Sequence, residues 1–288
     1  MKGGNTQKMA STLITEHVSA VLAHFVTVMS GQHIMFNDYN PTDFAAVVVV
    51  SDLLGPDGSP RNAGNGEEGN VWAGGYGATA AGNAALLKDS FAAASAVLDG
   101  AKAPAAKRPA LLYAETQLTA GGGSGVNAKA GKLLKLLQTA KQNGAAIDGV
   151  LLKLRCARVA TAVSPPPLRR SLVSATAAAE AGAASRDGHL SSSTDECSNA
   201  DVLVATISAF GSAGFSVWIS IDFGTTGVET VARACAGSKD CKALHFGEGF
   251  TDGFCAAGGE CLLTKDYKAK PAFVSLQMAL DPLPPPGR

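Results

Sequence analysis

The chain has 288 residues, with 24 Lys and Arg against 24 Asp and Glu. That balance excludes a one-signed surface of the kind that tracks nucleic acid or acidic lipid, and the length admits one large domain or two small ones. Aromatic residues make up only 6% of it, few for a protein whose ligands stack on rings.

The N-terminal stretch carries Glu16, His17 and His24 among its apolar residues, so it does not read as a secretory signal. No segment reaches the roughly 18 uninterrupted apolar residues of a membrane span. A first helix is expected over TLITEHVSAVLAHF (12–25), and HIMFNDYN (33–40), ahead of the turn-like Asn40-Pro41, could add a strand. AAVVVVSD (45–52) is a short β-branched run, followed by a polar loop over 55–70 with Asp57, Glu67 and Glu68 as solvated charges. Trp72 and Tyr76 come next and either line a groove or pack under that loop.

From there strand-like and helix-like segments alternate. NAALLKDSFAAASAVL (83–98) has apolar residues at helical spacing, and ALLYAE (110–115) reads as a buried strand. GGGSGVNAKAGK (121–132) superficially resembles a phosphate loop, but the glycine spacing is one residue too long and Leu133 stands where Ser or Thr must hold magnesium. It reads better as a loop leading into the helix KAGKLLKLLQTAKQNG (129–144). DGVLLKL (148–154) is the third run, the helix ADVLVATISAFGSAG (200–214) precedes FSVWISIDF (215–223), and ALHFGEGF (243–250) is the last. Gly144 and Gly214 sit where helices are C-capped. Nearly continuous apolar strands joined by helices indicate an α/β fold with a parallel sheet. Long loops follow the β runs at 55–70, 156–197 and 251–261, the face on which barrel enzymes keep their sites. DPLPPPGR (281–288) is a Pro-rich tail after a single domain over 1–280.

Six cysteines fall late: Cys156, Cys197, Cys235, Cys241, Cys255 and Cys261. Local pairing would join them in that order, two by two, although the sequence leaves connectivity open and six buried thiols is the other reading. Pairing implies an oxidising compartment, extracellular or lumenal. No CxxC or His partner has zinc-ligand spacing, and the five scattered histidines include no i, i+4 pair among His17, His24 and His33. No metal or cofactor is expected. Lys107, Arg108, Arg169 and Arg170 form only short basic doublets, so no nucleic-acid partner is expected either.

Several segments together resemble the xylan-cleaving glycoside hydrolases of family 10. GFTDGF followed by ECLLTKDYKAKPAF is similar to that family's closing signature through Gly249, Thr251, Asp252, Leu262, Leu263, Tyr267, Lys270, Pro271 and Ala272. NGAAIDGVLLK (143–153) resembles its "GxxIDGIGxQ" strand, and LLGPDGSPRN (53–62) resembles the loop after its acid/base. Cys235 and Cys241 stand where fungal members carry a disulfide. The resemblance implies a (β/α)8 barrel and a retaining β-1,4-glycanase with two carboxylates about 5–5.5 Å apart.

Carried over by position, the residues depart from that pattern. The acid/base position holds Asp52, one methylene short, after Ser51 in place of Asn. The nucleophile strand corresponds to Trp218 through Phe223, with Ile221 at the ungapped nucleophile position and Asp222 as a possible displaced substitute. Substrate-contacting positions hold Glu115, Lys153, Arg155 and Glu248, the last in place of a stacking Trp. Only five β runs follow the first helix, matching strands four through eight, and five strands cannot close an eight-stranded barrel. Another chain, insertions over the edges, or a fragmentary chain would each account for the missing three.

The resulting expectation is a catalytically impaired or inactive member of this barrel type, acting as a glycan-binding or structural part of a larger assembly, with a xylan-like polysaccharide and an edge-covering protein as partners. The alternative is a weakly active retaining endo-β-1,4-glycanase using Asp52 with Asp222 or Glu248.

Overall fold

The computed structural model describes residues 3–29, 45–62, 70–100, 108–120, 125–156, 196–223 and 227–246, with the side chains of 3–5, 25–29, 222–223 and 245–246 outside the description. The elements in chain order are α1 (Gly3–Met29), β1 (Ala46–Ser51), α2 (Ala73–Tyr76), α3 (Ala80–Gly100), β2 (Ala110–Thr116), α4 (Ala128–Gln142), β3 (Gly149–Arg155), α5 (Ala200–Ser212), β4 (Ser216–Phe223), α6 (Val228–Ala236) and β5 (Cys241–Phe246).

The five strands pair in sequence order, β1-β2-β3-β4-β5, and every pair is parallel. Sequential parallel strands joined by right-handed crossovers keep all their helices on one face, as the wall of a barrel does. The burial pattern agrees. Leu111 and Tyr113 of β2, Leu152 and Leu154 of β3, and Val217, Ile219 and Ile221 of β4 join the core that includes Phe91, Leu133, Leu137, Ile207 and Phe210 from the helices. Each fully buried Leu or Ile of that layer contributes about 1.5–3 kcal/mol by leaving water. Alternate residues Thr116, Lys153, Arg155, Trp218 and Ser220 therefore belong to the other face, which no described helix covers.

Local signals explain the helices. The Asn127 side chain accepts a hydrogen bond from Lys129 N at 2.6 Å and starts α4. Its buried residues Leu133, Leu136, Leu137 and Ala140 recur at three and four. Asn199 caps α5 in the same way through Val202 N at 3.1 Å. Past their C-termini Gly144 and Gly214 adopt φ of 95° and 80°, which a side chain would oppose.

Three boundaries differ from expectation. Helix α1 begins at Gly3 rather than near residue 12, because Thr6, Gln7 and Lys8 face solvent and cost a helix little. The helix α6 has only nine residues, so its periodicity is too short to stand out. The last strand starts at Cys241, two residues early. The expected strand over 33–40, the loop over 251–261 and the tail over 281–288 lie outside the described residues.

Candidate functional site

The C-terminal ends of β1, β2 and β3 bring Asp52, Thr116 and Lys153 together on the face away from the helices. Asp52 follows β1 at φ of 55°, a left-handed conformation that Asp tolerates better than most residues. Its N–H donates to Ala114 O at 3.0 Å. Lys153 Nζ donates to Asp52 Oδ2 at 2.9 Å, and Thr116 Oγ1 donates to Oδ1 at 3.4 Å. Burial raises the Asp52 pKa, but the Lys153 ammonium, with help from Ser51 and Arg61, overrides it and holds the carboxyl below the usual value. Asp52 is therefore ionised at neutral pH. Lys153 and Asp52 each keep 29% side-chain exposure, so the pair is reachable from solvent.

Glu115, expected to contact substrate, is in fact sealed on the opposite face at 0% exposure. Its Oε1 accepts from Lys129 Nζ at 3.0 Å, and its Oε2 accepts from Tyr113 Oη at 2.6 Å and from Leu54 N at 3.3 Å. Tyr113 Oη in turn accepts from Leu53 N at 2.9 Å. Burial is the main influence on this carboxyl and leaves its pKa raised despite Lys129. The residue ties the loop after β1 to β2 and α4. It offers a ligand nothing, because all its bonds run inward.

Ile221 is fully buried in the helix-facing core, so the ungapped nucleophile position presents no side chain to the cleft. The β3–β4 register pairs Leu154 with Ile221 but Arg155 with Phe223, leaving Asp222 as the extra residue of the strand. Its side chain, like the whole of Glu248, is outside the described residues. Ser51 is exposed on the same face as Asp52. Arg155 is half-buried, and its backbone N–H donates to Glu196 Oε2 at 3.0 Å while its carbonyl accepts from Glu196 N at 3.1 Å.

Glu196 escaped the sequence reading. It sits at 0% exposure, and Thr119 Oγ1 donates to its carbonyl at 2.9 Å. Burial pushes its carboxyl up to about 7, against the lowering effect of the Arg155 N–H. Its position directly before Cys197 was the available clue, since a disulfide anchors its neighbours to the core. Lys129 was missed for another reason: it looks like a surface lysine.

Among the described residues two disulfides form, Cys156–Cys197 and Cys235–Cys241, with Cα–Cα separations of 5.0 and 5.2 Å. They fit an oxidising compartment. Cys255 and Cys261 lie outside the described residues. Among the described residues no cluster of His, Cys, Asp or Glu could hold a metal ion, and no helix is long and apolar enough to cross a membrane.

Comparison with known proteins supports the fold. The chain is similar to native xylanase 10B of Thermotoga maritima, with a TM-score of 0.59 at 15% identity over 96% of this chain and 67% of that one. It is also similar to an endo-1,4-β-xylanase of Penicillium canescens, with a TM-score of 0.55 at 16% identity over 96% and 68%. A family 10 xylanase of Bispora sp. MEY-1, solved with xylobiose, gives 0.59 at 16% identity over 95% and 69%. The chain thus spans about two thirds of the length of these structures. No family model and no curated protein matches the sequence. The fold is that of a family 10 xylanase barrel, in which the five-stranded sheet is an incomplete wall.

Proposed function

We propose that this chain is a catalytically impaired barrel of the family 10 type that serves as a glycan-binding or structural component of an extracellular or lumenal assembly. The observation that carries this reading is the Lys153–Asp52 ion pair. A retaining glycosidase needs an acid that is protonated at working pH, its pKa raised by its surroundings. Asp52 has the reverse: a lysine at bonding distance keeps it ionised and occupies one of its oxygens. Ile221 adds to the case, since an aliphatic side chain turned into the core attacks nothing.

The face that holds Asp52, Lys153, Thr116 and Arg155 offers donors and acceptors of the kind that hydroxyl-rich ligands take, and the xylobiose and xylotetraose complexes of the similar structures give the ligand class to try. The partner would cover the sheet edges that five strands leave open. Incubation with xylan and xylotetraose should release no reducing ends above those of Asp52→Ala, while affinity electrophoresis on xylan should show retardation or a partner-dependent retention. Turnover above the Asp52→Ala background overturns the proposal.

One observation favours the rival, a weak retaining glycanase. The register shift leaves Asp222 as the additional residue in β4, and bulges next to active sites re-aim side chains. That reading requires turnover that disappears in both Asp52→Ala and Asp222→Asn.

A further inference from the structure

A lysine amine adds reversibly to the open-chain form of a reducing sugar, and on most surfaces the imine falls apart again. What fixes it is the next step, in which the carbon beside the former aldehyde loses a proton. A base held next to the lysine nitrogen speeds that step. Among the described residues two lysines have a carboxylate in ion-pair range, Lys129 with Glu115 and Lys153 with Asp52. Lys129 is sealed at 1% side-chain exposure, whereas Lys153 keeps 29%. Of the two, only Lys153 joins a nearby base to access from solvent.

The placement suits the proton transfer. Asp52 Oδ2 lies 2.9 Å from Lys153 Nζ. Once Nζ is bonded to the aldehyde carbon, the adjoining carbon is only one bond further, so its hydrogen comes within reach of the same oxygen. Asp52 is restrained there by its left-handed backbone at φ of 55° and by its N–H on Ala114 O. Burial opposes its ionisation, but Lys153, Ser51 and Arg61 together outweigh that, so the group is a carboxylate at neutral pH and free to accept a proton. Thr116, in register with Lys153 on the neighbouring strand, adds a hydroxyl beside the pair.

We propose that Lys153 is a covalent capture site for reducing aldoses, with the Asp52 carboxylate as the base that turns a reversible imine into a stable aminoketose. Nζ adds to the aldehyde carbon and water leaves. Asp52 takes the proton from the adjoining carbon, that electron pair becomes a carbon–carbon double bond, and the carbon–nitrogen π pair returns to nitrogen. A proton then enters at the former aldehyde carbon, while the neighbouring hydroxyl loses its own and becomes a ketone. One carbon is reduced as the other is oxidised, so no outside oxidant or reductant is needed. This goes beyond the non-hydrolytic reading, since it asks for a free aldehyde rather than a polysaccharide chain.

The test incubates the whole chain with xylose at about pH 8, where more lysine amine is free than at neutral pH, and maps adducts by peptide mass spectrometry. Sodium cyanoborohydride in a parallel sample traps the imine, so stable and trapped adducts are compared at each lysine. The ratio of stable to trapped adduct at Lys153 should exceed that at Lys88 and Lys135 by at least about tenfold. Those two are exposed and have no carboxylate partner among the described residues. In Asp52→Asn the Lys153 ratio should fall to the level of the reference lysines while the trapped imine persists. In urea the native chain should lose the preference too, because Asp52 and Lys153 are 101 residues apart in sequence. A Lys153 ratio no higher than the reference lysines, one unchanged in Asp52→Asn, or a preference that survives urea overturns the proposal. Xylan turnover would remove the non-hydrolytic reading and leave the adduct ratios standing. Uniform ratios would remove the capture site and leave that reading intact.

Discussion

Lys153 and Asp52 meet at 2.9 Å on the sheet face away from the helices, each 29% exposed, whereas Lys129 and Glu115 meet at 3.0 Å on the helix-facing side at 1% and 0%. The chemistry is the same and the surroundings are opposite. Buried, the carboxylate is surrounded by Tyr113, Leu54 and Thr116 as well as the lysine, and its pKa is raised by loss of water. At the surface, solvent lessens that penalty and the lysine prevails, so the pKa falls. The sealed pair fixes the strand ends in place. The exposed pair sets the protonation state of the Asp52 carboxyl.

Removing Lys129 tests the sealed pair most severely. Lys129→Met leaves Glu115 buried without its counter-charge and should lower stability by about 3–5 kcal/mol in urea unfolding. Adding Glu115→Leu should recover most of that loss, which would show that the penalty is the orphaned charge rather than lost packing. If Lys129→Met alone is neutral, the pair does not anchor the strand ends.

Glu196 gives the next largest effect and carries its own pH signature. Its folded pKa of about 7 stands above the ordinary value of 4.5 because burial favours the neutral acid. The folded state therefore holds a proton that the unfolded chain has already lost. Its contribution is complete below about pH 4.5 and disappears as pH climbs through about 7, a decline of about 3 kcal/mol at roughly 1.4 kcal/mol per pH unit. Glu196→Gln should flatten the stability profile across that window. A profile that keeps its slope in the variant would locate the titrating group elsewhere.

Lys153→Met should have the smallest effect on stability, within about 1 kcal/mol, as for other solvent-accessible pairs. Its informative readout is the Asp52 carboxyl titration followed by NMR, which should move upward once the ammonium is gone. The sign follows from the lowered pKa: the pair contributes above the ordinary carboxylate range and loses its contribution as pH falls through the Asp52 pKa. No upward movement would mean that Ser51 and Arg61, not Lys153, hold the group down.

The five strands were legible because β-branched runs such as AAVVVVSD and FSVWISIDF are short and bounded by polar residues, although β4 buries one face fully and β1 only partly. Asp52 could be placed at the C-terminal end of the first strand because it follows such a run directly. Its partner could not, since Lys153 is 101 residues away and a lysine inside a strand gives no hint of which face it takes until register is known. Glu115 shows the same limit. Its sequence position suggested ligand contact, while the β2 alternation that Leu111 and Tyr113 define turns it toward the helices. Ile221 is an aliphatic residue, and the alternation of β4 faces it into the core.

The Cys156–Cys197 bond joins the exit of β3 to the approach of α5, positions 41 residues apart in sequence. Whatever chain lies between them leaves and returns at one fixed point, so it can lengthen, shorten or diverge without shifting Arg155, Glu196 or the helix that follows. Such a root makes the insertion a graft site: a protease cut within 157–195 would leave both fragments attached, and only reduction would reveal the nick. New sequence can accumulate there while the sheet behind it keeps its register.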